Sequence, residues 1–302
     1  MTVIQTPDQC FENLPDFPFK PRYLEINGKR IHYIDEGKGA PVLCLHGEPT
    51  WSFLYRKMIP LLAKTRRVLA FDFVGFGRSD KLTDPQEYSF ELHRKTLVGF
   101  IDALALHQIT VVLHDWGGPI GLRVVTELPE RFARLVILNT FLPTGEERLS
   151  KAFHSWREMV ERMAPDLPIG SIMRRALPNA TAEVIAAYEA PFPSTAYKAG
   201  AVAWPLMVPL EREHPVAVEM QKARDGLSRW EKPTLTMFSD NDPILGGAQA
   251  FFRELIPAAK NQPDIVIRGV GHFLQEEKGA EIAQYILAFM EKPLQTVDKE
   301  SA

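Results

Sequence analysis

The chain has 302 residues, of which 45% are hydrophobic and 24% are charged, a composition typical of a globular protein with a large core. The formal net charge of −3 and the lack of a lysine- and arginine-rich block argue against nucleic acid or a membrane surface as a partner. With two cysteines and no apolar run of about 18 residues, we expect no disulfide framework, no metal site and no membrane span.

The first half of the chain alternates short apolar strands with amphipathic helices. Residues 1–20 lack the basic start and the apolar segment of a signal peptide, so we expect a soluble, cytoplasmic protein. The strand-like segments "RYLEING" and "KRIHYIDEG" flank Asn27-Gly28, a strong hairpin signal. Further strands are predicted at "PVLCLHG", "RRVLAFDF", "ITVVLHD" and "RLVILNT", and helices at "SFLYRKMIPLLAKT", "SFELHRKTLVGFIDALAL" (with Ser89 as N-cap) and "IGLRVVTELPERF".

The pattern changes after residue 142. Residues 143–228 contain prolines and helical segments but no convincing strand, whereas "PTLTMFSD" and "DIVIRGVGH" restore strands and "GAEIAQYILAFMEK" adds a final helix. We expect residues 295–302 to be frayed. The sequence therefore predicts an α/β core domain of residues 1–142 and 229–302, with a parallel sheet covered by helices on both faces, interrupted by a helical cap domain of residues 143–228.

Three titratable residues follow predicted strands: Asp115, Asp242 in "SDND", and His272 in "GVGHF". The carboxyl ends of parallel strands meet at one crevice, so these side chains can converge. Each has a structural alternative, since Asp115 could cap a helix, Asp240 could replace Asp242, and His272 could be a loop histidine. The joint order of nucleophile, acid and histidine is more specific than any single residue and is typical of a hydrolase triad.

The segment "VVLHDWGGPIG" has the form of a nucleophile elbow, a sharp strand-to-helix turn that exposes one side chain, here Asp115 instead of the usual serine. The segment "HGEPTW", residues 46–51, ends an earlier strand. In such folds this loop and the residue after the nucleophile each supply a backbone N–H to an oxyanion hole, which predicts Glu48 and Trp116 as donors. The alternative for "HGEP" is a simple turn.

Taken together, "HGEPTWSFLYRKMIP", "HDWGGPIGL", "DNDPILG" and "GVGHFLQE" resemble the haloalkane dehalogenases, most closely the subfamily typified by the 1,2-dichloroethane-degrading enzyme. The resemblance extends from about residue 20 to 290 and includes "AFHSWREMVERMAPDLP" and "AYEAPFPSTAYKAG", which are similar to that subfamily's cap. It implies an α/β-hydrolase fold with an eight-stranded, mostly parallel sheet and an inserted helical cap. It also implies that neither a metal nor an organic cofactor takes part.

The resemblance implies a reaction in two steps. Asp115 attacks the carbon of a small apolar halogenated substrate, displaces halide and becomes an alkyl ester. Water, activated by His272 as general base with Asp242 orienting the imidazole, then hydrolyses that ester. A carboxylate suits the first step because its ordinary pKa of about 3.9 leaves it ionised at neutral pH, whereas serine needs a base.

The resemblance also implies which residues bind the halide and which form the wall of the pocket. Trp116 and Trp156 are the implied halide ligands, because an indole N–H donates hydrogen bonds and accepts none. The alternative for Trp156 is a core aromatic on a cap helix. Glu48 stands where other dehalogenase subfamilies carry an asparagine donor, which makes Trp156 necessary. The implied pocket wall consists of Phe153, Trp204, Pro205, Val208 and Ile244.

One residue departs from the dichloroethane enzyme: Pro119 stands where that enzyme has an aromatic side chain. We therefore expect a differently shaped pocket and do not assume chlorinated ethane as the substrate. The implied partners are the halogenated substrate, a halide ion and water, and we expect a monomer.

Two other functions remain open at this point. An epoxide hydrolase shares the fold and the aspartate nucleophile but uses two cap tyrosines to protonate the leaving oxygen, and Tyr188 and Tyr197 lie in this cap. A ligand receptor on the same scaffold would bind without turnover, but such receptors generally retain a serine triad. The two tryptophans and the complete set of aspartates and histidine favour the dehalogenase.

Overall fold

The computed structural model describes residues 2–293, and the predicted frayed segment 295–302 lies outside them. The strands are β1 (Val3–Ile4), β2 (Arg22–Ile26), β3 (Lys29–Gly37), β4 (Pro41–Leu45), β5 (Arg67–Phe71), β6 (Lys81–Leu82), β7 (Ile109–Leu113), β8 (Phe132–Ile137), β9 (Thr234–Ser239) and β10 (Ile265–Ile267). The helices are α1 (Ile59–Leu62), α2 (Phe90–Ala103), α3 (Gly117–Glu127), α4 (Lys151–Met163), α5 (Ile169–Ala176), α6 (Ala182–Glu189), α7 (Ala199–Met207), α8 (Pro215–Leu227), α9 (Ala248–Leu255) and α10 (Leu274–Glu291). Short 3₁₀ helices occupy Asp8–Phe11, Ser52–Tyr55, Pro85–Glu87, Pro129–Arg131, Thr195–Tyr197 and Pro257–Asn261.

Eight strands form one sheet in the order β10-β9-β8-β7-β4-β5-β3-β2. Neighbours are parallel except β3, which runs antiparallel to both β2 and β5. All five residues of β7 are buried, as a continuous apolar run predicts. Asn27 and Gly28 have positive φ angles of 52° and 70° between β2 and β3, which is the backbone that the predicted hairpin requires. The predicted eight-stranded α/β fold is confirmed.

The helices fall into two groups because the chain crosses the sheet in both directions. The connection from β4 to β5 contains α1 and runs toward the β2 edge, whereas those from β5 to β7 and from β7 to β8 run the other way and contain α2 and α3. Right-handed crossovers in opposite directions place their helices on opposite faces. Consistent with this, α1 contacts α10, and α3 contacts α2 and α8.

Two predicted elements differ from the structure. The helix expected over residues 52–65 is broken into Ser52–Tyr55 and the four-residue α1, because Pro60 lies in the first turn of α1 and has no N–H to bond to the preceding turn. The side chains of Arg56 and Lys57 bond to the distant Glu276, with Nη2 of Arg56 at 2.6 Å from Oε1 of Glu276. The strand expected over residues 264–272 is confined to β10, because Gly269 takes a φ of 75° and turns the chain. The predicted N-cap is present: Oγ of Ser89 accepts a hydrogen bond from the N–H of Leu92 at 3.1 Å.

Helices α4 to α8 lie between β8 and β9, and residues 143–228 contain no strand, as the sequence predicts. The division into a core domain and a cap domain remains a prediction. The hydrogen bonds that join this insert to the rest of the chain include those from Oγ1 of Thr6 to the carbonyl of Pro191 at 2.8 Å, from Nε1 of Trp51 to the carbonyl of Ala187 at 3.0 Å, and from the hydroxyl of Tyr188 to Oε2 of Glu276 at 2.6 Å. No helix within residues 2–293 is both long and apolar enough to cross a membrane.

Candidate active site

Asp115 lies at a sharp turn between β7 and α3 with a φ of 47°, the left-handed backbone that a nucleophile elbow imposes on a non-glycine residue. Its N–H donates to the carbonyl of Asn139 at 2.8 Å, and its carbonyl accepts from Oγ1 of Thr140 at 2.7 Å. A Cβ atom at Gly47 would lie 2.2 Å from Oδ1 of Asp115, so this close approach requires glycine. The main chain therefore holds the Asp115 side chain above the sheet.

The three residues predicted as a triad are brought together. Nδ1 of His272 lies 2.7 Å from Oδ2 of Asp242, and Nε2 of His272 lies 3.5 Å from Oδ2 of Asp115. The remaining oxygen of Asp242, Oδ1, accepts the N–H groups of Ile244 at 2.9 Å and Leu245 at 3.1 Å. Asp242 thus orients the imidazole so that its other nitrogen faces Asp115.

Asp240 and Asp242, the two aspartates that the sequence left as alternatives, have different contacts. Asp240 is exposed, and its Oδ1 accepts the N–H of Gly269 at 2.7 Å, which fixes a turn. Asp242 is buried and contacts His272. The choice of Asp242 as the partner of the histidine agrees with this geometry.

The charges of the three residues support one another. Burial would lower the pKa of His272, but the charge of Asp242 and the hydrogen bonds to Asp115 and Asp242 outweigh it and raise that pKa to about 10. Burial would raise the pKa of Asp242, but His272 holds it at about 2. The pKa of Asp115 is also lowered: burial opposes this, and the hydrogen bond and charge of His272 dominate. These shifts favour an imidazolium between two carboxylates in the resting protein.

The predicted oxyanion hole is present in part. The N–H of Glu48 donates to Oδ1 of Asp115 at 2.7 Å. Among the described residues no hydrogen bond joins the N–H of Trp116 to that carboxylate, so this second donor stays a prediction. The carboxyl of Glu48 is buried without a protein partner in the part of the chain described, and burial followed by the charge of Asp115 raises its pKa well above the ordinary range.

A cavity of about 1020 Å³ opens above Asp115 and His272. It lies between the ends of the strands and the insert, and most of its wall is apolar. The predicted site residues that line it are Glu48, Asp115, Trp116, Phe153, Trp156, Pro205, Val208, Ile244 and His272. Trp116 and Trp156, the predicted halide ligands, thus face the same space.

The prediction of Trp204 as a pocket wall is wrong. Trp204 is fully buried behind Trp116, with 5.7 Å between the two rings, and it is absent from the lining of the cavity. Its ring packs against Phe76 with 4.1 Å between centroids, and its Nε1 donates to Nε2 of His93 at 2.7 Å. A buried indole N–H needs a partner, and His93 supplies one inside the core.

Sequence reasoning missed several residues of the wall. Pro119, the residue from which we expect a differently shaped pocket, also lines the cavity. The spacing of Ala152, Trp156 and Met159 places them on one face of α4, and this periodicity could have identified the wall. Further lining residues are Phe141, Ile172, Met220, Leu245 and Phe251.

The two tyrosines of the epoxide hydrolase alternative lie away from the cavity. The hydroxyl of Tyr188 is buried on Glu276 at 2.6 Å, and neither Tyr188 nor Tyr197 lines the cavity. No tyrosine within residues 2–293 faces the space above Asp115. The geometry therefore does not favour protonation of an epoxide oxygen. Within the same residues no group of three potential ligands is arranged to hold a metal ion.

Comparisons with known proteins agree on one family. A family model described as "alpha/beta hydrolase fold" matches residues 40–279. A haloalkane dehalogenase of Mycolicibacterium paratuberculosis is 44% identical and one of Psychrobacter cryohalolentis is 42% identical, with 96% of this chain and 99% and 98% of theirs covered. The structure of haloalkane dehalogenase DpaA from Paraglaciecola agarilytica, described as tetrameric, is 35% identical with a TM-score of 0.90, covering 95% of this chain and 98% of that one.

Proposed function

This chain belongs to the haloalkane dehalogenases of the α/β-hydrolase fold, and we propose that it hydrolyses carbon–halogen bonds through an alkyl ester on Asp115. One observation carries the residue assignments. The ionised carboxylate of Asp115 faces an apolar cavity, and the buried His272–Asp242 pair lies directly beside it. An aspartate at the elbow suits alkyl transfer because the product is an ordinary ester, which water can cleave at its carbonyl.

In the first step Asp115 is the nucleophile. Its lowered pKa keeps the carboxylate ionised at neutral pH, so it needs no base. One carboxylate oxygen forms a bond to the substrate carbon as the carbon–halogen bond breaks, and the halogen leaves with the bonding electrons as halide. The N–H groups of Trp116 and Trp156, which share the cavity, hold that halide.

In the second step the charge of Asp115 is gone, and this changes His272. Asp115 is one of the two carboxylates that raise the pKa of His272 to about 10, so its conversion to a neutral ester lowers that pKa and favours the neutral imidazole. His272 then takes a proton from water, which attacks the ester carbonyl. The N–H groups of Glu48 and Trp116 stabilise the oxyanion. When it collapses, the bond between the carbonyl carbon and the alkoxy oxygen breaks, the alkoxy group leaves with a proton as the alcohol, and Asp115 returns to a carboxylate, so the overall products are an alcohol, a halide ion and a proton.

We further propose that the protein works as a cytoplasmic monomer on small apolar halogenated compounds. Cys10 and Cys44 are both free thiols, which suits a reducing compartment. The large exposed hydrophobic residues, such as Val3, Met163 and Tyr285, are scattered over separate elements and form no evident interface. Because DpaA is described as tetrameric, the oligomeric state of this protein should be measured directly, by light scattering as it elutes from a size-exclusion column.

The test is release of bromide from 1,2-dibromoethane and 1-bromobutane. We expect turnover by the natural protein and none by Asp115→Asn. Asp242→Asn should lose most turnover, whereas the matched variant Asp240→Asn should keep most of it, because Asp240 fixes only the turn at Gly269. Diol formation from styrene oxide without bromide release would overturn the assignment in favour of an epoxide hydrolase. Tight ligand binding without any turnover would favour a receptor.

A further inference from the structure

The backbone carbonyl of His272 is held by side chains from two neighbouring strand ends. Nε2 of His114, at the end of β7, lies 2.9 Å from this oxygen, and Nδ2 of Asn139, after β8, lies 3.3 Å from it. A carbonyl only accepts, so Nε2 of His114 carries the hydrogen and donates it. These bonds fix the main chain of the residue proposed as the base, whereas Asp242 fixes its ring.

His114 is the principal of the two donors. Its bond of 2.9 Å is close to the most frequent length for N–H···O, whereas Asn139 lies near the long end of the usual range and spends the same Nδ2 on Oγ of Ser239 at 2.6 Å. The ring centroids of His114 and His272 are 4.7 Å apart, so His114 supports both the carbonyl and the imidazole of that residue.

The charge state of His114 suits this contact. His114 is completely buried, and burial together with the positive charge of His272 lowers its pKa to about 3. A neutral ring can lie against the imidazolium of His272 without like-charge repulsion. Nδ1 of His114 has no partner among the described residues, so the ring has one hydrogen bond, and that bond ends on His272.

We propose that His114 is a positioning residue for the second step of the proposed reaction, in which its Nε2–H bond to the carbonyl of His272 keeps the imidazole within reach of the Asp115 ester. This inference rests on the proposed function. The first step does not need a base, so displacement of halide should depend little on this bond. Hydrolysis of the ester should depend on it directly, because a small shift of the His272 main chain misplaces Nε2 relative to the attacking water.

The test separates the two steps in a single turnover with 1,2-dibromoethane. The release of bromide measures the formation of the alkyl-enzyme. The decay of the alkyl-enzyme is followed by the mass of protein samples quenched at successive times. In His114→Phe, which keeps a ring but removes the donor, we expect decay of the ester to slow about tenfold relative to its formation, a size that the loss of one hydrogen bond allows. In His114→Gln, whose amide N–H can reach the position of Nε2, the ratio of the two rates should return to near that of the natural protein.

The matched control is His93→Gln. His93 is equally buried, its pKa is also lowered to about 3 by burial, and it contacts Trp204 but not His272. This variant should lose stability without changing the ratio of the two rates. If His114→Phe does not fold, His114→Asn replaces it, because asparagine is polar but too short to reach the carbonyl. Decay of the ester relative to its formation should then slow in His114→Asn as we expect for His114→Phe.

Three outcomes overturn the inference. Equal slowing of both steps in His114→Phe, or in His114→Asn where it takes its place, would mean that His114 only supports the fold. A defect in ester hydrolysis that His114→Gln leaves unrepaired would mean that the N–H donor is not what matters. The third is that neither rate changes in His114→Phe. Each of these three outcomes, in a protein that does release bromide, overturns this inference alone, whereas no bromide release from the natural protein would overturn the proposed function as well.

Discussion

The two sides of the cavity are built by different means. On the sheet side, Asp115, Asp242 and His272 are each held by hydrogen bonds to neighbouring loops, several of them at 2.7 to 2.9 Å. On the insert side, Phe153 and Val208 contribute apolar surface, and Trp156 adds an indole. The sheet side therefore fixes the reacting groups, while the insert covers them and contributes apolar side chains to the wall of the cavity.

The largest test of this division is His272→Phe on the sheet side. Phenylalanine keeps the volume of the side chain but removes the general base, so turnover should fall about 10³-fold or more. Halide displacement needs only Asp115, so one equivalent of bromide should still be released and the mass of the protein should rise by one alkyl group. Continued multiple turnover would contradict the role of His272.

The charge of Asp115 gives the second test. Asparagine removes a negative charge 3.5 Å from Nε2 of His272, as alkylation does, so the pKa of His272 in Asp115→Asn should fall below about 10. A raised pKa stabilises the fold below the unfolded value of about 6.5, and this stabilisation is lost as the pH rises through about 10. The free energy of unfolding should therefore decrease less across the window between pH of about 6.5 and about 10 in Asp115→Asn than in the natural protein. An NMR titration of the imidazole and urea unfolding at both ends of the window measure these effects, and an unchanged imidazole pKa would contradict the coupling.

Two indoles of the insert provide the third test: Trp156 is partly buried and lines the cavity, whereas Trp204 is fully buried and does not. Trp156→Phe removes an N–H donor from the cavity and should weaken bromide binding about 10- to 100-fold, the range expected for a hydrogen bond to a charge. Trp204→Phe should leave bromide affinity nearly unchanged but lower the free energy of unfolding by about 1–3 kcal/mol, because the buried bond to His93 is lost. Calorimetric titration and urea unfolding separate these effects, and equal weakening of bromide binding by both variants would contradict a specific role of Trp156 in halide binding.

The smallest effects are expected at two helix N-caps with the same geometry. Oγ of Ser89 caps α2 in the core and Oγ of Ser150 caps α4 in the insert, each accepting a backbone N–H at 3.1 Å. Loss of either cap should cost about 1 kcal/mol. Ser89→Ala should lower global stability alone, whereas Ser150→Ala should also raise KM and speed hydrogen exchange in α4, because α4 lines the cavity. A change of KM in Ser89→Ala would contradict the expectation that only the cap of α4 affects the cavity.

The residues that the sequence identified are those whose placement depends on local pattern. Asp115 and His272 follow apolar segments and lie beside glycines, so the ends of the strands could be predicted and with them the convergence of the site. In both wrong predictions, a side chain bonds to a residue that is far away in the sequence. The side chain of Arg56, within the predicted helix, bonds to Glu276, 220 residues away, and the indole of Trp204 bonds to His93, 111 residues away, instead of lining the cavity. The indoles of Trp156 and Trp204 look alike in the sequence, and only the folded chain shows that the N–H of Trp204 has a buried acceptor.

The amino-terminal segment has a consequence for engineering. Val3 and Ile4 pair with Lys81 and Leu82 of the core, and Thr6, two residues further on, is bonded to Pro191 of the insert. The acceptor is a main-chain carbonyl, so a chimaera that received residues 143–228 from a relative would keep this contact only if the backbone at residue 191 kept its position, although no residue near the junctions had changed. A recombinant enzyme with an exchanged insert should therefore take its first six residues from the same parent, and a purification tag is better fused at the other end of the chain.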